Sequence, residues 1–196
     1  MKLAHLTLLT ITCALLNACA SATVHPDESS SAAGAAHYPP PHAIYFTVDA
    51  SRQSKAWKNA AEDASNNWPN KVQGWFDELL PQELKSIAPT QPARGDTHDG
   101  WLLETTVTYF DPGSATARLW IGGGAGQSKI KTHSEVYDLA RSSTSPLFSF
   151  DTYGDSGNYS SLYEQVSVGT GPKKDIWRTC REIRGYLENV TGTHGH

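Results

Sequence analysis

Apolar residues recur along this chain with two spacings, and these spacings predict an alternation of strands and helices. Residues 101–110 alternate between apolar and polar, which is typical of a strand covered on one face. Its predicted apolar face carries Trp101, Leu103, Val107 and Tyr109. Three further segments rich in β-branched and aromatic residues also predict strands: residues 43–48, 130–139 and 147–153.

Two segments carry apolar residues every three or four positions, which predicts amphipathic helices. The first stripe comprises Trp57, Ala61, Ala64, Trp68, Val72, Trp75 and Leu79. Because Pro69 falls inside it, we expect a kink or two helices in near register, the second running from Pro69 to about Pro81. The last helix is predicted over residues 173–190, with a stripe of Ile176, Cys180, Ile183, Leu187 and Val190. Cys180 should therefore face the core as a packing residue.

The predicted order β-α-β-β-β-α indicates a single α/β domain whose sheet is covered by amphipathic helices. The domain should span residues 43–190 and end in a disordered tail, residues 191–196. Residues 20–42 are rich in Ser, Ala and Pro, with almost no large apolar residue, which predicts a flexible tether over residues 19–42 that holds the domain off the membrane. Residues 87–100 are expected to form a loop, and residues 155–172 a mobile segment.

The amino terminus resembles an export signal, residues 1–18, that ends in a lipobox. An apolar run over residues 6–16 follows Lys2 and is closed by Leu16, Asn17, Ala18 and Cys19. A run of this length is too short to span a bilayer, which needs about 20 residues. In signals of this type a diacylglyceryl group is attached to the sulfur of Cys19, cleavage follows Ala18, and the new amino terminus at Cys19 is acylated. The alternative is a secretory signal cut near Ala18 or Ala20.

Location and partners follow from the same region and from the charge. Because Ala20 rather than an aspartate follows the cysteine, we expect sorting to the bacterial outer membrane, with the domain facing the periplasm. Secretion and inner-membrane anchoring are the alternatives. After cleavage and lipidation Cys180 alone remains, so we expect no internal disulfide. A net charge of −4 argues against nucleic-acid binding. The expected partners are the membrane, through the lipid anchor, and an envelope protein.

Residues 110–129 form the chemically most suggestive segment. Its candidate contact or ligand residues are Arg118, Trp120, Gly122, Gly124, Gly126 and Lys129. A phosphate-binding loop needs Gly-Lys followed by Ser or Thr at the start of a helix, whereas this segment reads Gly-Gln-Ser-Lys before a strand. The dinucleotide pattern G-x-G-x-x-G also fails, at Lys129. We therefore interpret the glycines as a turn, with a nucleotide or small-ligand site as the alternative.

The same segment resembles a known family. Phe-x-Pro-Gly-Ser, an arginine before an apolar patch, and Gly-x-Gly-Ala-Gly leading into a strand resemble the uncharacterised bacterial lipoproteins of domain of unknown function 4410. The resemblance spans residues 101–139 and implies signature positions at Asp111, Pro112, Gly113, Arg118, Gly122, Gly124 and Gly126. The sequence departs from the family at Gly123, where an aromatic residue is commoner. Since the family has no established activity, the resemblance implies fold and location without a reaction.

No catalytic motif is recognisable, since the sequence contains neither G-x-S-x-G nor H-E-x-x-H. His98 with Asp96 and Asp99 is the densest titratable cluster, and we interpret it as a solvated turn. His133 is expected on a solvent-facing strand surface. We predict no catalytic residue, metal or cofactor. The predicted function is a binding or structural accessory role at the envelope, and an envelope hydrolase is the rival hypothesis.

Overall fold

In the computed structural model the described residues are 23–26, 37–51, 67–93, 99–113, 128–141, 144–155 and 171–193. They form, in chain order, β1 (Thr23–Pro26), β2 (Ile44–Asp49), α1 (Trp68–Leu84), β3 (Thr90–Pro92), β4 (Trp101–Asp111), β5 (Lys129–Asp138), β6 (Phe148–Asp155) and α2 (Pro172–Thr191). A short 3₁₀ turn, Leu139–Arg141, follows β5. The single α/β domain is confirmed, and β1 and β3 are additions to the predicted order.

The described strands form one mixed sheet in the order β1-β6-β5-β4-β2-β3. β2 runs parallel to β3 and β4, and the remaining neighbours are antiparallel. α1 packs on β2 and β3, α2 packs on β5 and β6, and the two helices pack against each other. Both helices therefore cover the same face of the sheet. Neither of these described helices is long and apolar enough to cross a membrane.

α1 begins with Pro69 in its first turn, where a missing backbone donor costs no helical hydrogen bond. Its buried face comprises Val72, Phe76, Leu79, Leu80 and Leu84. The predicted start is confirmed to within one residue, but the predicted end near Pro81 is wrong, since the helix continues through Pro81 to Leu84. Leu84 is fully buried, so its packing offsets the cost of the interior proline. Residues 57–64 of the predicted stripe lie outside the described part of the chain.

β4 follows the predicted alternation with one interruption. Buried as predicted are Trp101, Leu103 and Val107. Its register with β5 shifts between Val107 and Tyr109, and the bulge at Thr108 places Phe110 in the core, while Tyr109 is only partly buried. The expectation for Tyr109 is therefore wrong, because a strict period of two cannot anticipate an inserted residue.

α2 presents the predicted stripe to the core. Its buried apolar residues are Ile176, Cys180, Ile183, Leu187 and Val190. Burial, followed by the charge of Glu83, raises the pKa of the Cys180 thiol well above its usual value. Both effects disfavour the thiolate, which is the reactive form of cysteine. The interpretation of Cys180 as a packing residue is confirmed.

Three parts of the chain are ordered where the sequence predicts a tether or a loop. Residues 23–26, expected in the flexible tether, form β1 and pair with β6. Tyr38 packs on the core, and its backbone amide donates to the Val190 carbonyl over 2.8 Å. Residues 90–92, expected in a loop, form the edge strand β3. The expected tail is wrong at its first residue, since Thr191 still belongs to α2. Outside the described residues lie the signal peptide, residues 19–22 and 27–36 of the expected tether, most of the expected mobile segment and residues 194–196 of the tail.

Candidate functional site

The face of the sheet opposite the helices is not covered by any described element and carries mainly polar side chains. Side chains alternate across a strand, so the residues between the buried positions point to this side. We call this surface the open face; its residues on the four central strands include Tyr45, Thr47, Glu104, Thr106, Lys131, His133, Glu135, Asp151 and Tyr153.

His133 and Asp151 form a hydrogen-bonded pair on the open face. They lie directly opposite each other on β5 and β6, and Nδ1 of His133 is 2.7 Å from Oδ1 of Asp151. The other ring nitrogen, Nε2, lies 4.0 Å from Oε1 of Glu135. The side chains of His133 and Asp151 are 32% and 54% exposed. The imidazole is therefore held between two carboxylates while remaining accessible to solvent.

Glu104 and Glu135 lie directly opposite each other on β4 and β5. Like charges in this position destabilise a sheet. The hydroxyl of Tyr137 donates to Oε2 of Glu135 over 3.0 Å. Burial raises the pKa of Tyr137, and this hydrogen bond and the charges of the two glutamates raise it further, so the hydroxyl stays protonated. Glu104, Glu135 and Asp151 together form what we call the acidic strip.

An open depression of about 650 Å³ lies beside His133. Its lining residues are Thr108, Lys131, Thr132, His133, Asp151, Thr152 and Tyr153. Nζ of Lys131 lies 5.3 Å from the centre of the Tyr153 ring, a cation–π arrangement. The hydroxyls of Thr132 and Thr152 are bonded to each other over 2.6 Å. The depression thus offers a cation, an imidazole–carboxylate pair and an aromatic ring.

These groups suit recognition better than covalent chemistry. A carboxylate on Nδ1 can orient a histidine for proton transfer, but a nucleophile would have to lie within hydrogen-bond reach of Nε2. The partner observed near Nε2 is the Glu135 carboxylate, and Cys180 is buried on the opposite side of the sheet. Among the described residues no group of three or more His, Cys, Asp and Glu side chains could hold a metal ion.

A second polar cluster lies inside the protein, where α2 begins beside the start of β5. Asp175 is fully buried and accepts a hydrogen bond from the Ser128 hydroxyl. Nη1 of Arg178 lies 3.8 Å from the other carboxylate oxygen, and the neighbouring Lys174 is 1% exposed. Ser128 directly follows the glycine-rich segment. The cluster therefore fastens Ser128, the residue before β5, to α2.

Most of the predicted contact residues lie outside the part of the chain that the structure describes. Outside the described residues lie Cys19, Asp96, His98, Arg118, Trp120, Gly122, Gly124 and Gly126. Lys129 is described and begins β5, opposite Asp111 of β4 and Asp155 of β6. Asp111 closes a turn, since its carboxylate accepts a hydrogen bond of 2.8 Å from the amide of Gly113, which has a φ of 67°. Asp111 and Lys129 therefore lie at the same end of the sheet.

The open face was only partly visible in the sequence. The sequence predicts a solvent-facing position for His133, and its side chain is partly exposed. The sequence analysis does not identify its partner Asp151, although the buried Phe148 and Phe150 imply by alternation that Asp151 faces outward. The alternation does not determine the strand register, which places Asp151 directly opposite His133.

Comparison with known proteins gives a family and a distant structural likeness. Two structures of the PelC dodecamer from Paraburkholderia phytofirmans, one of them a single-residue variant, each have a TM-score of 0.47. The variant is 8% identical and the other structure 9% identical; each comparison covers 85% of this chain and 96% of that chain. No curated protein matches. A family profile described as Domain of unknown function (DUF4410) matches residues 22–160, so the resemblance seen in the sequence is confirmed and the chain belongs to this family.

Proposed function

We propose that this protein is a lipid-anchored accessory module of the bacterial envelope, which faces the periplasm and binds a partner protein through the open face. The lipobox ending at Cys19 supports the anchor. The surface not covered by the helices supports the binding role, because it presents charged and aromatic side chains on rigid strands.

The acidic strip is the reason for choosing the open face as the binding surface. Glu104 and Glu135 face each other across adjacent strands, an arrangement that costs stability in the isolated domain. Local arrangements that disfavour the fold are typical of functional surfaces. A partner that brings a lysine or arginine between the two carboxylates would turn this repulsion into attraction. We therefore propose a basic segment of an envelope protein as the partner.

A hydrolase or small-ligand-binding protein is the second candidate, and the His133–Asp151 pair beside the depression favours it. The two candidate functions predict different effects of a conservative replacement of His133. Replacing His133 with asparagine should abolish hydrolysis, whereas partner binding through the acidic strip should survive it. Loss of partner binding on Glu104→Lys with retention on His133→Asn would support the accessory module.

The anchor is tested by metabolic labelling with an alkyne fatty acid. The wild type should carry the label and the Cys19→Ser variant should not. Equal labelling of both forms, or of neither, would refute the lipid anchor.

The contact surface is tested by photo-crosslinking in cells. A photoreactive residue replaces Thr47, which is exposed on the open face opposite Glu104, or Asp77, which is exposed on α1 in the helix layer. We expect a defined cross-linked product from position 47 that disappears when Glu104→Lys is added. A product from position 77 alone would place the contact on the helices and refute the proposal.

A further inference from the structure

Lysine and aromatic side chains gather at one end of the domain, where β4 and β6 end and where β5 and both helices begin. We call this end the anchor-proximal rim; it comprises Trp68, Lys71, Lys129, Lys131, Tyr153 and Lys173. We propose that the anchor-proximal rim rests on the phospholipid headgroups of the membrane that holds Cys19. This inference rests on the proposed lipidation and adds the orientation of the domain.

The length of chain between the anchor and the fold limits how far the domain can stand from the membrane. Residues 20–22 alone separate Cys19 from Thr23, the first residue of β1. A fully extended chain advances about 3.3–3.6 Å per residue, so Thr23 lies within about 14 Å of Cys19. The expected tether over residues 19–42 therefore does not separate the domain from its anchor, because β1 falls inside it.

The strand register identifies the end of the domain that is held close. Thr23 lies opposite Tyr153, and Tyr153 lies opposite Lys131. The start of β1 is thus level with the start of β5 and the end of β6. In the helix layer the Trp68 ring, at the start of α1, lies 5.8 Å from the ring of Phe110 near the end of β4. The rim therefore includes both layers.

Two lysine–aromatic pairs give the rim the chemistry of a membrane interface. Nζ of Lys71 lies 5.1 Å from the Trp68 ring, and Nζ of Lys131 lies 5.3 Å from the Tyr153 ring. Tryptophan and tyrosine concentrate at the headgroup level of membranes, and lysine places its stem along apolar surface while its ammonium reaches phosphate. The first pair lies in the helix layer and the second in the sheet, so both layers contribute a pair to the rim.

Charges at the rim are of both signs, since Lys129 lies opposite Asp111 and Asp155 and Nζ of Lys173 lies 2.8 Å from Oε1 of Glu78. The other end is also mixed, because Arg141 contacts Asp138 and Arg184 contacts Glu83. The orientation therefore rests on the short link to Cys19 and on the two lysine–aromatic pairs, and not on a difference in net charge between the two ends.

The orientation is tested with the full lipidated protein in vesicles of phosphatidylethanolamine and phosphatidylglycerol. A fluorophore is attached to Thr108→Cys, beside the rim, or to Ala140→Cys, at the opposite end; both positions are exposed, and Cys180 is buried. Lipids that carry a nitroxide on the headgroup quench nearby fluorophores. We expect severalfold stronger quenching at position 108 than at position 140. Equal quenching, or stronger quenching at position 140, would overturn the orientation.

Two charge-reversal variants distinguish membrane contact through the rim from a general electrostatic attraction of the domain to the membrane. Lys131→Glu should weaken quenching at position 108, whereas Lys85→Glu, the same charge change at the other end, should leave it unaltered. Equal effects of the two variants would count against the rim. Fatty-acid labelling of the same samples distinguishes the two proposals. A labelled protein with the wrong quenching pattern refutes the orientation alone, and an unlabelled protein refutes the anchor and the orientation together.

Discussion

Gly100 is the position at which a single added methyl group should damage this fold most clearly. It precedes β4 with a φ of 107°, and a Cβ atom there would lie 2.5 Å from the carbonyl oxygen of Ala43. That oxygen accepts a hydrogen bond of 2.9 Å from the Trp101 amide, which joins β4 to the residue before β2. The clash is with backbone, so no side-chain rotation can relieve it.

The expected cost of Gly100→Ala has two parts. Positive φ costs a residue with a Cβ about 1–2 kcal/mol, and loss of the Trp101 hydrogen bond costs about 0.5–1.5 kcal/mol. We therefore expect a decrease of about 2–3 kcal/mol in the free energy of unfolding, measured by urea denaturation with tryptophan fluorescence. Gly74→Ala and Gly185→Ala are matched controls, because both lie in helices with open space at the Cβ position. They should stabilise by about 0.5–1 kcal/mol. A loss below about 0.5 kcal/mol at Gly100 would refute the reasoning.

Three further changes test other parts of the structure. A thiol reagent should modify Cys180 slowly in the folded protein and rapidly in denaturant, because burial raises the pKa of this thiol; fast labelling of the folded protein would show a functional thiol. Glu104→Gln should stabilise by about 0.2–1 kcal/mol by relieving the repulsion from Glu135, and this gain should shrink in 1 M salt; a salt-independent gain would have another cause. Inorganic phosphate, nucleotides and nucleotide sugars should leave the melting temperature unchanged; a saturable rise that Lys129→Ala removes would show a ligand site.

The elements that the sequence predicts well are those whose own residues carry an apolar pattern. α2 follows its predicted boundaries to within one residue because one continuous stripe faces the core. β1 and β3 lack such a pattern, since each is a short edge strand held by the backbone of its neighbour, β6 or β2. Composition predicts a tether over residues 23–26 because the segment has few large apolar side chains to bury. An edge strand does not need such side chains, since backbone hydrogen bonds to its neighbour hold it in place.

The candidate site depends on register, which the alternation of residues does not encode. Period-two patterning sets which residues face outward, so His133 and Asp151 could each be assigned to the open face. Their hydrogen bond requires that β5 and β6 align these two residues and no others. The bulge at Thr108 has a similar consequence, since one inserted residue exchanges the roles of Tyr109 and Phe110. Pairings of this kind are settled by turns and packing between distant segments.

The proposed anchor and the proposed binding surface constrain each other. With the anchor-proximal rim on the headgroups, the strands run away from the membrane, and β4, with 11 residues, reaches roughly 35 Å from it. The open face then stands across the membrane surface instead of against it, so the acidic strip points sideways into the periplasm. A partner held on the same membrane could reach Glu104 and Glu135 by lateral diffusion alone. This geometry therefore favours a membrane-attached partner over a freely diffusing one, since shared attachment raises the effective concentration of the two surfaces without any additional contact.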